Sequence, residues 1–275
     1  MEKAHLLLID PQNDFMDVQY PGMPAPALAV PGADADMNRV AAFIKRLGNK
    51  LYDIHVTLDS HHVCDVAHPA IWRNKAGDYP GAFTIISADD IRNEVWYPRD
   101  IRLKAQMVKY AEALAANGRY PLMIWPEHCL IGTPGHNVQG AVMAELNNWA
   151  RTGQQLVDFV TKGSNWTTEH YSAVKAEVPD PSDPSTGLND PLIKVLAEAD
   201  VIYVAGEALS HCLASTVRDI ADNFGDANIS KLVLLTDCSS PVFSPVVDFR
   251  KVSDDFISEM KARGMKTALS TEIYA

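Results

Sequence analysis

The chain has 275 residues, 47% hydrophobic and 21% charged, with a net charge of −11. That length and balance suit one large α/β domain whose core needs no disulfide support. The acidity argues against a nucleic-acid groove or an anionic membrane surface, and no apolar stretch reaches the roughly 20 residues of a membrane span.

The first apolar run, residues 6–9, stops at Asp10. No small-residue cleavage site follows, so it reads as a buried strand rather than a signal peptide. Residues 35–47 are amphipathic at helical spacing, and a second strand, 54–58, ends at Asp59. Residues 70–124 break the rhythm, with Trp72, Trp96, Tyr97 and several prolines around a helical stretch at 101–116. They read as an insertion before the third core strand. A helix at 138–150 leads to a strand at 156–160, just before Lys162. The Pro/Asp/Ser-rich stretch 179–185 is a surface loop. Next come a helix at 191–199, a strand at 201–205 followed by Gly206, and a helix at 213–224. A strand at 232–235 ends before Asp237; a helix at 247–263 is closed by Gly264, and 267–269 is a last short strand. Continuous Val/Ile/Leu runs alternating with amphipathic stretches predict an α/β fold: a doubly wound, mostly parallel sheet of about six strands flanked by helices. The whole chain, 1–275, is expected to be one domain, with 70–124 as a subregion.

In open sheets of this kind, ligands bind beyond the carboxyl ends of the strands. Asp10, Asp59, Lys162 and the 206–212 turn all fall at such ends. Cys212 lies near the first turn of the helix that follows, where backbone N–H groups lower a thiol's pKa and can hold an oxyanion. Asp10 could take the thiol proton, and Lys162 could balance the charges. Singly, each has an ordinary reading: a buried thiol, a turn-capping acid, a solvated lysine. Their coincidence at strand ends favours a nucleophilic site. The four cysteines, Cys64, Cys129, Cys212 and Cys238, are widely spaced with no CxxC pair. That pattern predicts a reducing, cytoplasmic setting.

Four segments, in order, resemble the isochorismatase-like cysteine hydrolases and their nicotinamidase branch. Asp10-Pro11-Gln12-Asn13-Asp14-Phe15 resembles the opening D-x-Q-x-D-F. Trp125-Pro126-Glu127-His128-Cys129, with Gly132-Thr133-Pro134-Gly135 after it, resembles W-P-x-H-C-x-x-G-T-x-G. Lys162-Gly163 with Tyr171-Ser172-Ala173 resembles K-G…Y-S-A/G, and the Gly206 to Cys212 turn resembles G-x-A-x-x-x-C.

The resemblance implies an Asp–Lys–Cys triad of Asp10, Lys162 and Cys212. It also implies a cis peptide between Glu207 and Ala208, with the Ala208 and Cys212 N–H groups facing the oxyanion. Asp59-Ser60-His61 resembles the family's D-x-H metal motif, and His128 would complete a two-histidine, one-carboxylate set. A third histidine is open: His68 is the best candidate, but its spacing after Asp59 departs from the family's pattern. The donors suit zinc, iron or manganese alike. A rival zinc cluster of His61, Cys64 and His68 is disfavoured, because thiolate ligands usually come in pairs or more. In the resemblance the divalent metal positions a pyridine ring, and Phe15 and Trp125 sandwich it. The implied reaction is hydrolysis of nicotinamide to nicotinate and ammonia through a cysteine thioester, a step of NAD salvage.

Two departures keep other readings open. The 70–124 segment is long for a nicotinamidase, and Glu207 stands where the family more often has an apolar residue. A ureido, carbamoyl or maleamate-type substrate would keep the same chemistry. A non-catalytic binding member is a different class, disfavoured by the complete triad. The expected partner is a small-molecule amide, not nucleic acid or membrane; a homo-oligomer stays open.

Overall fold

The first apolar run becomes β1 (Ala4–Ile9), buried at every position, in the computed structural model, which describes residues 2–274. After it come α1 (Ala33–Leu47) and β2 (Leu51–Asp59), then β3 (Trp72–Arg73), α2 (Ala88–Arg92), β4 (Tyr97–Pro98) and α3 (Lys104–Asn117). The second half runs α4 (Gly140–Gly153), β5 (Asp158–Lys162), α5 (Asp190–Ala197), β6 (Val201–Gly206), α6 (Ala214–Phe224) and α7 (Asp226–Ile229). It closes with β7 (Leu232–Leu235), α8 (Phe249–Ala262) and β8 (Lys266–Ala268).

Six strands form one sheet in the order β5-β2-β1-β6-β7-β8. Every pairing in it is parallel, so the sheet is parallel throughout rather than mostly so. The chain builds outward from β1 through β2 to β5, then restarts on β1's other side with β6. The direction therefore switches between β1 and β6, and the crevice beyond their carboxyl ends is where such sheets bind ligands. With right-handed crossovers, opposite directions of travel put α1 and α4 on one face and α6 and α8 on the other. Consistently, α1 packs on α4, and α6 packs on α8.

The third core strand is shifted from its sequence position. Leu156 is 88% exposed and lies outside β5. β5 is an edge strand, and its register on β2 sets Lys162 opposite Asp59. Lys162 is thus the strand's last residue, not the one beyond it.

Residues 66–124 gather round a second hydrophobic cluster, centred on Trp72, Ile91, Met107, Leu114 and Ile124. β3 and β4 pair antiparallel beside it. The cluster anchors site segments on both sides. Trp72 Nε1 donates to Val66 O at 2.8 Å, and Trp125 N donates to Ala67 O at 2.7 Å. No helix of the described residues is long and apolar enough to cross a membrane.

Candidate active site

Asp10 follows β1 with φ of 41°, a left-handed conformation that aspartate tolerates better than most residues. Thr57 on neighbouring β2 holds it twice. The Thr57 hydroxyl accepts from Asp10 N at 3.0 Å and donates to Asp10 Oδ1 at 2.5 Å. Lys162, from the end of β5, reaches under the site. Its Nζ lies 2.9 Å from Asp10 Oδ2 and 3.0 Å from Asp59 Oδ1, and 3.1 Å from the His170 carbonyl. The Cys212 Sγ is 3.6 Å from the same Nζ. Asp10, Asp59 and Cys212 each present an atom within 4.8 Å of the others. All four side chains are buried.

Cys212 sits in a π-helical turn, Leu209–Leu213, leading into α6. Gly206 makes the approach possible. Its φ is +114°, and a Cβ there would lie 2.0 Å from the Ile9 carbonyl oxygen. Only glycine lets the end of β6 come this close to β1. The Glu207–Ala208 peptide is cis. The Leu209 N–H donates to Ser240 O and the His211 N–H to Ala208 O. The Ala208 N–H has no acceptor among the described residues. Glu207 itself is buried, with Oε2 accepting from Ser240 N at 3.2 Å. Burial, with Asp36 nearby, pushes its carboxyl well above the usual range.

Burial raises the Asp10 carboxyl and also the Cys212 thiol, with Lys162 opposing both shifts. Burial works against the Lys162 charge, but Asp10 and Asp59 outweigh it and hold the ammonium well above its ordinary value. Moving a proton from Cys212 to Asp10 keeps the site's net charge constant. The two shifts run in the same direction and so oppose each other for an internal transfer.

The opening motif has a mechanical role. Gln12 Nε2 donates to Asp59 O at 2.8 Å and to His136 O at 2.9 Å, while Gln12 Oε1 accepts from Asp59 N at 2.7 Å. Asp14 Oδ2 accepts from Cys129 N at 2.7 Å. One short segment thus fastens both the Asp59 and His128 loops to β1.

Those loops bring imidazoles together. His61 Nε2 is 3.0 Å from Asp59 Oδ2, and His128 Nε2 is 3.5 Å from it. His61, His68 and His128 each offer a nitrogen within 4.8 Å of the others. Asp65 orients His61 through Nδ1 at 3.1 Å, the carboxylate–imidazole arrangement usual behind metal-bound histidine. The donor set of three nitrogens and a carboxylate fits a first-row divalent cation. Burial opposes the Asp59 charge, but His61 and Lys162 outweigh it and keep the carboxyl well below its usual range. Gly163 leaves room for the cluster, since a Cβ there would approach Asp59 Oδ1 to 2.9 Å. His68, uncertain by spacing, points into the cluster. His62 is exposed and outside it. Cys64 is also exposed and lines a surface groove with His62 and Trp166, which disposes of the His61–Cys64–His68 alternative.

Phe15 and Trp125 line one small cavity with Asp59, His128, Ala208 and Cys212. Three further residues line it that sequence reasoning missed: Glu169, Tyr171 and His211. Trp125 Nε1 donates to Tyr171 Oη at 3.1 Å. Burial pushes the Glu169 carboxyl up to about 8 and the His211 imidazole down to about 3. The available signal for Tyr171 and His211 is adjacency: one belongs to the Tyr171-Ser172-Ala173 stretch, and the other precedes Cys212.

No protein-family model matches the sequence, and no curated protein matches it. Solved structures do. A nicotinamidase/pyrazinamidase from Acinetobacter baumanii aligns over 99% of both chains, with a TM-score of 0.63 and 18% identity. The yeast nicotinamidase bound to the inhibitor nicotinaldehyde aligns over 97% of this chain and 99% of its own, with a TM-score of 0.61 and 19% identity. The pyrazinamidase of Pyrococcus horikoshii in complex with zinc aligns over 97% and 99%, with a TM-score of 0.56 and 19% identity. The chain has the fold of these proteins along nearly its whole length.

Proposed function

We propose that this protein is a metal-dependent cysteine amidohydrolase that converts nicotinamide to nicotinate and ammonia. The observation that carries this reading is the meeting of Cys212, Asp10 and Lys162 beside a three-histidine, one-carboxylate cluster, under an aromatic-lined cavity. The fold neighbours support the reaction class: two are known as nicotinamidases and one as a pyrazinamidase, the last in complex with zinc.

Asp10 accepts the Cys212 proton, and the thiolate attacks the carboxamide carbon. Lys162 keeps the charge balanced as the proton moves, being within 3.6 Å of both groups. The Ala208 and Cys212 N–H groups face the oxygen that becomes negative; such donors typically contribute about 3–4 kcal/mol each. Asp10 returns the proton to the departing nitrogen, which leaves as ammonia. Asp10 then draws a proton from water, whose oxygen attacks the thioester carbon and frees nicotinate and the thiol. Phe15 and Trp125 orient a flat ring between them. A divalent cation held by Asp59, His61, His128 and His68 would supply a Lewis-acid anchor for a ring nitrogen.

Ammonia release from nicotinamide and a panel of ureido, carbamoyl and maleamate amides, with and without a chelator, tests the proposal. Nicotinamide should be the fastest substrate and the chelator should suppress it. Cys212→Ala should abolish turnover. Release from a non-aromatic amide alone, insensitive to chelation, would move the assignment to another C–N hydrolase. No release from any would favour a binding protein.

A further inference from the structure

A second cluster of donors lies at the other end of the same strands. His5 on β1 and His55 on β2 point to one side of the sheet, both 1% exposed. Asp59 lies four positions beyond His55 along β2, a distance of about 13 Å, so this cluster is not part of the active centre. His5 Nδ1 and His55 Nε2 face each other at 3.0 Å. Asp53 Oδ2 is 3.9 Å from His55 Nε2. His5, Asp53 and His55 each present an atom within 4.8 Å of the other two.

Two details point to a cation rather than to a simple imidazole pair. Asp158 Oδ2 lies 2.9 Å from His55 Nδ1. That carboxylate accepts a hydrogen bond from Nδ1–H and leaves the Nε2 lone pair aimed at the cluster, the arrangement that orients metal-bound histidine. The His5 Nε2 is buried with no partner among the described residues, and with the ring hydrogen on that atom the two facing nitrogens both present lone pairs to an ion between them.

We infer that His5, His55 and Asp53 form a second binding site for a divalent transition-metal ion of the zinc class. Zinc bonds of roughly 2.0–2.2 Å in a tetrahedron place neighbouring donors about 3.3 Å apart. The separations here, 3.0 and 3.9 Å, bracket that value, as do the 3.0 and 3.5 Å of the Asp59 cluster. Two imidazoles and one carboxylate leave a coordination position for water. The half-exposed Asp158 and the partly exposed Asp53 give the ion a path from solvent. Tyr52 stacks over His5 with centroids 5.7 Å apart and covers the other side. The site ties β1 to β2 and β5 at the end of the sheet remote from catalysis.

The test uses the full chain and zinc alone. Bound zinc is counted after gel filtration for wild type, His5→Gln and His55→Gln, with circular dichroism to check that each is folded. The variants should retain the catalytic ion and lose about one equivalent relative to wild type. Asp158→Asn touches a half-exposed side chain and should leave the fold intact. It should weaken the second equivalent by about 10–100-fold in a zinc titration. Equal stoichiometry in wild type and His55→Gln, or an Asp158→Asn titration that overlays wild type, overturns the inference. Loss of amide hydrolysis would bear on the active site and not on this one.

Discussion

Thr57 decides how well the proposed base is aimed. One hydroxyl fixes both the backbone and the carboxylate of Asp10, and nothing in the sequence marks it, because the contact arises only when β1 and β2 align. Thr57→Val keeps the shape and removes both bonds. Losing such bonds to a buried carboxylate costs about 1–3 kcal/mol, so kcat for ammonia release should fall about 10–100-fold with KM nearly unchanged. A rate within twofold of wild type would show that Asp10 needs no such support. The four thiols illustrate the same dependence on surroundings. Cys129 and Cys238 are buried, the latter with its Sγ 3.7 Å from Asp237 Oδ1, and Cys64 is exposed. Only Cys212 has a carboxylate and an ammonium beside it. Covalent labelling of Cys212 is therefore best read with Cys64 replaced by serine, since the exposed thiol meets a reagent first.

The elements that carry the site are strand ends, and their positions depend on close backbone approach. Gly206 is the clearest case. Gly206→Ala would force a methyl to 2.0 Å from Ile9 O at a φ of +114°. The Gly206 N–H bond to Cys238 O and the Glu207 N–H bond to Ile9 O would be disturbed with it. We expect about 2–4 kcal/mol of destabilisation, read from the urea midpoint, together with loss of turnover in the folded fraction. Unchanged stability would mean that the end of β6 has more room than its geometry allows. β5 makes the complementary point. Its apolar run suggested an earlier strand, but an edge strand takes its register from its one partner. Pairing with β2 set that register, and it delivered Lys162 to Asp59.

At the scale of the molecule, the second hydrophobic cluster acts as a brace for the loops that carry His68 and His128. Trp72 is fully buried within it and donates to Val66 O, while Ala67, which accepts from Trp125 N, leads directly to His68. Trp72→Ala should destabilise the protein by about 3–5 kcal/mol and also lower its affinity for the catalytic ion. Thermal melts with and without zinc separate the two effects. A variant with reduced stability but wild-type zinc affinity would make the cluster a packing unit independent of the site. The switch in sheet direction between β1 and β6 explains why residues from four distant segments meet at all. Asp10, Asp59, Lys162 and Cys212 each end or follow a strand, and parallel strands bring all their carboxyl ends to one rim.

Strand identity, the parallel arrangement and the convergence of Asp10, Lys162 and Cys212 were legible in the chain itself. Continuous apolar runs that stop at polar residues are a local signal, and parallel pairing converts it directly into a shared rim. The support around that rim was not legible. His68 had an unmatched spacing, and Glu169, Tyr171 and Thr57 belong to segments far apart in sequence. The His5–His55 pair likewise joins two strands separated by a whole helix. Tertiary structure alone decided these contacts, because side-chain convergence depends on strand register and loop closure, which no single stretch of residues encodes.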